Sequence, residues 1–120
     1  MARVLIVDDA AFMRLMLKKI VVVAGHEVVG EAGDGDTAVK MFKELSPDLT
    51  TLDITMPDRD GIDVLREILT INPRAKVVMC SALGQQAKVV ESLKVGACDF
   101  VVKPFEASTV QDALRSALGN

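Results

Sequence analysis

The feature that most narrows the fold is a fivefold alternation. Short β-rich runs at 4–7, 28–29, 49–52, 77–80 and 100–102 are separated by longer stretches whose apolar residues recur at helical spacing. Met13, Met16, Leu17 and Ile20 form the first such stripe, and Ala38, Val39, Phe42 and Leu45 the second. Ile62, Leu65, Ile68 and Leu69 form the third, and Val89, Val90 and Leu93 the fourth. The last has the cleanest period, with Val110, Ala113, Leu114, Ala117 and Leu118 at i, i+3, i+4, i+7 and i+8. Gly25, Pro47, Asn72-Pro73 and Gly96 stand where helices should stop. Five β–α units of this kind predict a parallel sheet with helices on both faces, a doubly wound α/β fold. The unbroken apolar runs of the first and fourth strands suit strands buried on both sides. Strands are expected at about 3–8, around 28–29, and at 48–53, 76–80 and 99–102. Helices are expected at 11–24, 35–45, after Gly61 to Asn72, at 85–94 and through 110–118.

The 120 residues are expected to make one domain, 1–120, with no linker or repeat. Half of them are apolar, so an aliphatic core needs no disulfide or structural metal. A net charge of −3 lacks the basic footprint of a nucleic-acid binder. Cys80 and Cys98 have neither disulfide nor zinc spacing and read as free, buried thiols of a reducing cytoplasm. The N-terminus enters a strand-like run without a signal-peptide pattern, and no apolar stretch reaches the roughly 18 residues of a membrane span.

Each apolar run ends on a polar residue. The first ends in Asp8-Asp9, the third in Asp53, the fourth in Ser81 and the fifth in Lys103-Pro104. In a parallel sheet these ends share one edge, where open α/β folds bind ligands. Three carboxylates crowded together repel one another, and a hard divalent cation relieves that repulsion. Asp8, Asp9 and Asp53 are therefore candidate magnesium ligands, with Asp9 also a candidate cap of the first helix. A carboxylate beside such a metal is suited to attack phosphorus, which makes Asp53 a candidate phosphoacceptor. Lys103 is placed to pair with Asp53 and then with a phosphoryl oxygen. The proline after it permits a cis bond that would fix its direction. Ser81 offers a hydroxyl to the same oxygen. Met13, Met16 and Phe105 read as core residues, and His26 as a surface loop residue.

These residues, in this order, closely resemble the receiver domains of two-component response regulators. The likeness rests on Val7-Asp8-Asp9, on Asp53 with Met56-Pro57 and Gly61, on Cys80-Ser81-Ala82, and on Phe100 with Lys103-Pro104-Phe105. It spans the whole chain. The resemblance implies a flavodoxin-like sheet of strand order 2-1-3-4-5 with five helices. It implies phosphorylation of Asp53 from a kinase phosphohistidine, with Mg2+ bound directly by Asp9, Asp53 and the backbone carbonyl of Thr55, and with Asp8 assisting through water. Ser81 would be the switch hydroxyl, Phe100 the switch aromatic and Lys103 the phosphate partner. Ala10-Ala11-Phe12-Met13-Arg14 and Ala82-Leu83-Gly84-Gln85-Gln86 look most like chemotaxis receivers of the thermophile and Gram-positive type. That implies a stand-alone cytoplasmic monomer with three partners: a histidine kinase (CheA-like), a flagellar switch protein (FliM-like) and a dedicated phosphatase. Neither direct nucleic-acid binding nor membrane insertion is expected.

The chain departs from the enteric type. It has no Trp or Tyr, so its switch aromatic lacks a hydroxyl, and serine stands in place of threonine at 81. Leu83 has no polar group to orient water, which predicts slow self-dephosphorylation. The protein is expected to catalyse only its own phosphorylation and slow dephosphorylation. Rival readings are a receiver cut from a DNA-binding regulator, a phosphorelay intermediate, a metal-dependent phosphohydrolase and a purely structural module.

Overall fold

The computed structural model describes residues 1–119. In chain order the elements are β1 (Arg3–Val7), α1 (Ala11–Val23), β2 (Glu27–Ala32), α2 (Gly35–Leu45) and β3 (Leu49–Asp53), then α3 (Gly61–Ile71), β4 (Val77–Ser81), α4 (Gln86–Val95), β5 (Asp99–Val102) and α5 (Ala107–Leu118). The strands form one parallel sheet of order β2-β1-β3-β4-β5. The expected class and order are thus observed, and element ends lie within a residue or so of most of the expected ones.

Alternation along each strand sorts side chains to two faces. Leu5, Val7, Leu52, Val77 and Met79 join one core cluster with Phe42 of α2, Leu65 and Ile68 of α3 and Val89 of α4. Val4, Ile6, Leu49, Val78 and Cys80 join the other, with Leu17 and Val21 of α1 and Val110 and Leu114 of α5. Three helices therefore cover one face and two the other. Burying a side chain such as Leu65 or Leu114 contributes about 1.5–3 kcal/mol. The three central strands are buried almost throughout, whereas β2 and β5 form the edges and stay partly exposed. Among the described residues no helix is long and apolar enough to cross a membrane.

Four details correct or add to the sequence reading. Cys98 is exposed, because it precedes the edge strand β5; only Cys80 is buried. His26 is a structural tie: its Nδ1 accepts a hydrogen bond from the Ala2 N–H at 3.0 Å, a partner 24 residues away. Asp9 does not cap α1; the N-cap position is Ala10, and no side chain caps it. Met13 and Met16 are partly buried, Met13 packing against the edge of the second cluster, while Phe105 is a full member of it.

Capping fixes how the chain re-enters its helices. Asp34 Oδ1 accepts from Thr37 N–H at 2.7 Å at the start of α2. Asp60 Oδ1 does the same for Ile62 N–H at 2.9 Å at the start of α3. Asp58, in the loop after β3, reaches across to accept from Gly35 N–H (2.8 Å) and Asp36 N–H (3.0 Å). A carboxylate there suits the positive end of α2 and pins that loop beside the sheet edge.

Candidate functional site

Three strand ends meet at the C-terminal edge of the sheet. Asp8 follows β1, and Asp53 and Ser81 are the last residues of β3 and β4. β5 ends one residue before Lys103, whose N–H donates to the Ser81 carbonyl at 2.8 Å. The adjacent pairing of β1 with β3 and of β3 with β4 brings Asp8, Asp53 and Ser81 side by side. Asp8, Asp53 and Ser81 are buried, and Asp9 is exposed at the rim. One carboxylate oxygen from each of Asp8, Asp9 and Asp53 lies within 4.8 Å of the others.

The Lys103 ammonium bridges two of these acids, 2.7 Å from Asp8 Oδ2 and 3.1 Å from Asp53 Oδ2. The Lys103–Pro104 peptide bond is cis. The other oxygens are partly engaged by backbone: Asp8 Oδ1 accepts from Ala10 N–H at 2.9 Å, and Asp53 Oδ1 from Thr55 N–H at 3.3 Å. The Asp8 carbonyl accepts from Arg14 Nη1 at 2.6 Å, which fastens α1 to the site. Burial raises the Asp53 pKa above its ordinary value, and the Asp8 charge adds to that rise. Lys103 and the Thr55 N–H only partly oppose it. For Lys103, burial works against the ammonium. The Asp8 hydrogen bond and the Asp53 charge outweigh it, and the lysine pKa is raised.

Gly61 explains its own place in the motif. Its N–H donates to the Ile54 carbonyl at 2.6 Å. A Cβ there would run into the Asp53 carbonyl oxygen and stand 2.6 Å from that of Ile54. The glycine lets the loop fold back onto the residue that follows β3.

The donor set fits a hard divalent cation. It consists of carboxylate oxygens, and Lys103 supplies one positive charge against three carboxylates. Ser81 and Phe100 both line an apolar cavity of about 280 Å3 beside α4, with Leu83, Val89 and Leu93. Phe100 is 38% exposed at its edge. The structure therefore gathers Asp8, Asp9, Asp53 and Lys103 in one cluster. Ser81 and Phe100 are linked to it through β4 and β5.

Two participants have roles here that the sequence does not show. Gln85 donates from Nε2 to Thr55 Oγ1 at 2.9 Å and accepts at Oε1 from Ala82 N–H at 2.7 Å, joining the loops after β3 and β4. Lys88 of α4 pairs with Asp60 at 2.8 Å. A loop glutamine and a helix lysine look like solvated surface groups until the fold brings their partners near.

Comparison with known proteins agrees with this geometry. The model of the response regulator receiver domain matches residues 4–115. The chain is 61% identical over 112 residues to the chemotaxis protein CheY of Thermotoga maritima, covering 93% of each. It is 55% identical over 116 residues to CheY of Bacillus subtilis, covering 97% of each. Among solved structures it is similar to the Borrelia burgdorferi CheX–CheY–BeF3–Mg2+ complex (TM-score 0.91, 40% identity, 95% of this chain and 87% of that one). A Clostridium thermocellum response regulator receiver protein matches at TM-score 0.92 and 28% identity, over 99% of this chain and 95% of that one. With the acid cluster, the bridging lysine and the sheet order that presents them, this chain belongs to the response regulator receiver family.

Proposed function

We propose that this chain is a stand-alone, single-domain chemotaxis response regulator, phosphorylated on Asp53 by a kinase phosphohistidine in a Mg2+-dependent reaction. The observation that carries this reading is the Lys103 ammonium shared by two buried carboxylates, Asp8 and Asp53, with Asp9 beside them. Asp8, Asp9, Asp53 and the Thr55 carbonyl would hold the Mg2+, whose charge offsets that of the incoming phosphoryl group.

The chain's own residues then have separate tasks. An Asp53 oxygen attacks phosphorus as the bond to the imidazole nitrogen breaks. That nitrogen keeps the bonding pair and the product is an aspartyl phosphate. Lys103, already positioned by Asp8, pairs with a phosphoryl oxygen once Asp53 is esterified. Ser81 donates its hydroxyl to another oxygen. The space its movement opens lies against the cavity it shares with Phe100, which turns inward. The surface of α4, β5 and α5 changes shape, and a partner reads it.

The CheY relatives support a CheA-like kinase and a FliM-like flagellar switch as partners, and the CheX–CheY complex supports a separate phosphatase. The protein acts as a cytoplasmic monomer and a signal carrier, with no turnover of external substrate. Incubation with acetyl phosphate and Mg2+ tests this. The expected result is one phosphoryl group per chain by mass spectrometry, absent in Asp53→Asn. Continuous phosphate release at enzymatic rates would instead identify a phosphohydrolase.

A further inference from the structure

One side chain ties together the two loops that flank Asp53. The Gln85 carboxamide spans from Thr55 Oγ1 (2.9 Å) to the Ala82 N–H (2.7 Å). Thr55 is in turn bonded through its N–H to Asp53 Oδ1 (3.3 Å), and Ala82 directly follows Ser81. A hydrogen-bonded path thus runs from the acceptor carboxylate, through Gln85, to the backbone beside the switch hydroxyl. Gly84, at φ +86°, turns the chain so that the Gln85 side chain reaches back three residues. Gln85 also precedes α4: its carbonyl accepts from Val89 N–H at 3.0 Å, while its side chain makes no cap for the helix. The backbone of this residue serves α4 and its side chain serves the mouth of the pocket.

Resting on the receiver reading above, we infer that Gln85 is a latch that holds the resting arrangement and opens when Asp53 is phosphorylated. Inward movement of Ser81 draws Ala82 with it, since consecutive Cα atoms are separated by a fixed ~3.8 Å. Thr55 is held in place by its bond to Asp53 and by a bridge to Asp60. The carboxamide cannot follow both partners, and a hydrogen bond weakens steeply once its geometry is lost. Both bonds can therefore be made at once only in the resting state, activation breaks one of them, and removing either favours the activated state. Release also frees the residue that precedes α4, which connects the phosphoryl pocket to that helix. Gln85 is in this sense a positioning residue.

The test is the affinity for beryllium fluoride with Mg2+, measured by calorimetry for the wild type, Gln85→Ala, Thr55→Val and the double variant. Each single variant is expected to bind roughly fivefold tighter, the scale of one lost hydrogen bond. The double variant is expected to bind no tighter than either single one, because both break the same latch. A purely structural glutamine predicts weaker binding instead. If the wild type binds in an Asp53-dependent way but the single variants bind no tighter, or their effects add, the latch is refuted and the receiver reading stands. If the wild type fails to bind, or binding survives Asp53→Asn, the receiver reading fails and the latch falls with it.

Discussion

Lys103 Nζ lies 2.7 Å from Asp8 Oδ2, closer than its 3.1 Å to Asp53 Oδ2, and the Asp8 side chain is only 3% exposed. The lysine is thus held by an acid that need not itself be phosphorylated. Its position should survive the conversion of Asp53 to an ester. Removing the ammonium leaves Asp8 and Asp53 buried without it. Lys103→Met is expected to destabilise the metal-free protein by about 2 kcal/mol. That is below the cost of a fully buried pair, because solvent partly reaches the lysine. Urea denaturation in a chelator measures it. The deficit should shrink when Mg2+ is added, and an unchanged deficit would argue against a shared charge cluster.

Asp53 carries the opposite sign. Burial first, and the Asp8 charge second, raise its pKa above the ordinary 3.8. As pH rises past that value the unfolded chain ionises before the folded one, so the folded state loses stability until Asp53 itself ionises. Asp53→Asn, which cannot ionise, should therefore melt higher than the wild type at pH 7 in a chelator. Below the ordinary carboxylate value the advantage should vanish, since both side chains are then neutral. Mg2+ should raise the melting temperature of the wild type more than that of the variant. A variant advantage that stays constant from pH 3 to 7 would contradict the ionisation account.

The sheet and the acid cluster were legible for one reason: both follow from strands buried on two faces. Such strands read as continuous apolar runs, and their ends are where polar residues first become tolerable. Asp53 and Ser81, the last residues of β3 and β4, are marked in this way. Residues whose environment is set by distant partners were not legible. His26 is fixed by Ala2, and Gln85 by Thr55, 30 residues away. Cys98 misled because apolar neighbours suggest burial, yet it leads into an edge strand open on one side. Asp9 looked like a helix cap, but Asp8 already folds back to the Ala10 N–H and α1 begins a residue later.

Two residues of β3 break its apolar run. Thr50 and Thr51 are buried, and neither hydroxyl has a hydrogen-bond partner among the described residues. By register Thr50 stands beside Leu5 and Val77 on one face, and Thr51 beside Ile6 and Val78 on the other. Valine keeps their shape and removes the unpaired hydroxyl. Thr50→Val and Thr51→Val should each stabilise the protein by about 1 kcal/mol. The effects should nearly add, because the side chains point to opposite faces. The denaturation midpoint should rise with the slope unchanged. A loss of stability in either variant would show that its hydroxyl is in fact satisfied.

The lifetime of the phosphorylated state should depend on Leu83. It stands two residues after Ser81 in the loop between the pocket and α4, and 83% of it is exposed. Hydrolysis of an aspartyl phosphate needs water aligned opposite the Asp53 oxygen, and positioning of that kind contributes much of the rate in phosphoryl transfer. An apolar side chain neither accepts from nor donates to such a water. Leu83→Gln supplies both functions at similar size and, because the position is exposed, with little effect on folding. Its phosphorylated form should lose phosphate several-fold faster than the wild type, roughly 1 kcal/mol off the barrier. Leu83→Ala should leave the rate near that of the wild type. Following the decay of the phosphorylated species by mass spectrometry distinguishes the two. Equal acceleration in both variants would point to simple unblocking of the pocket and not to orientation of water.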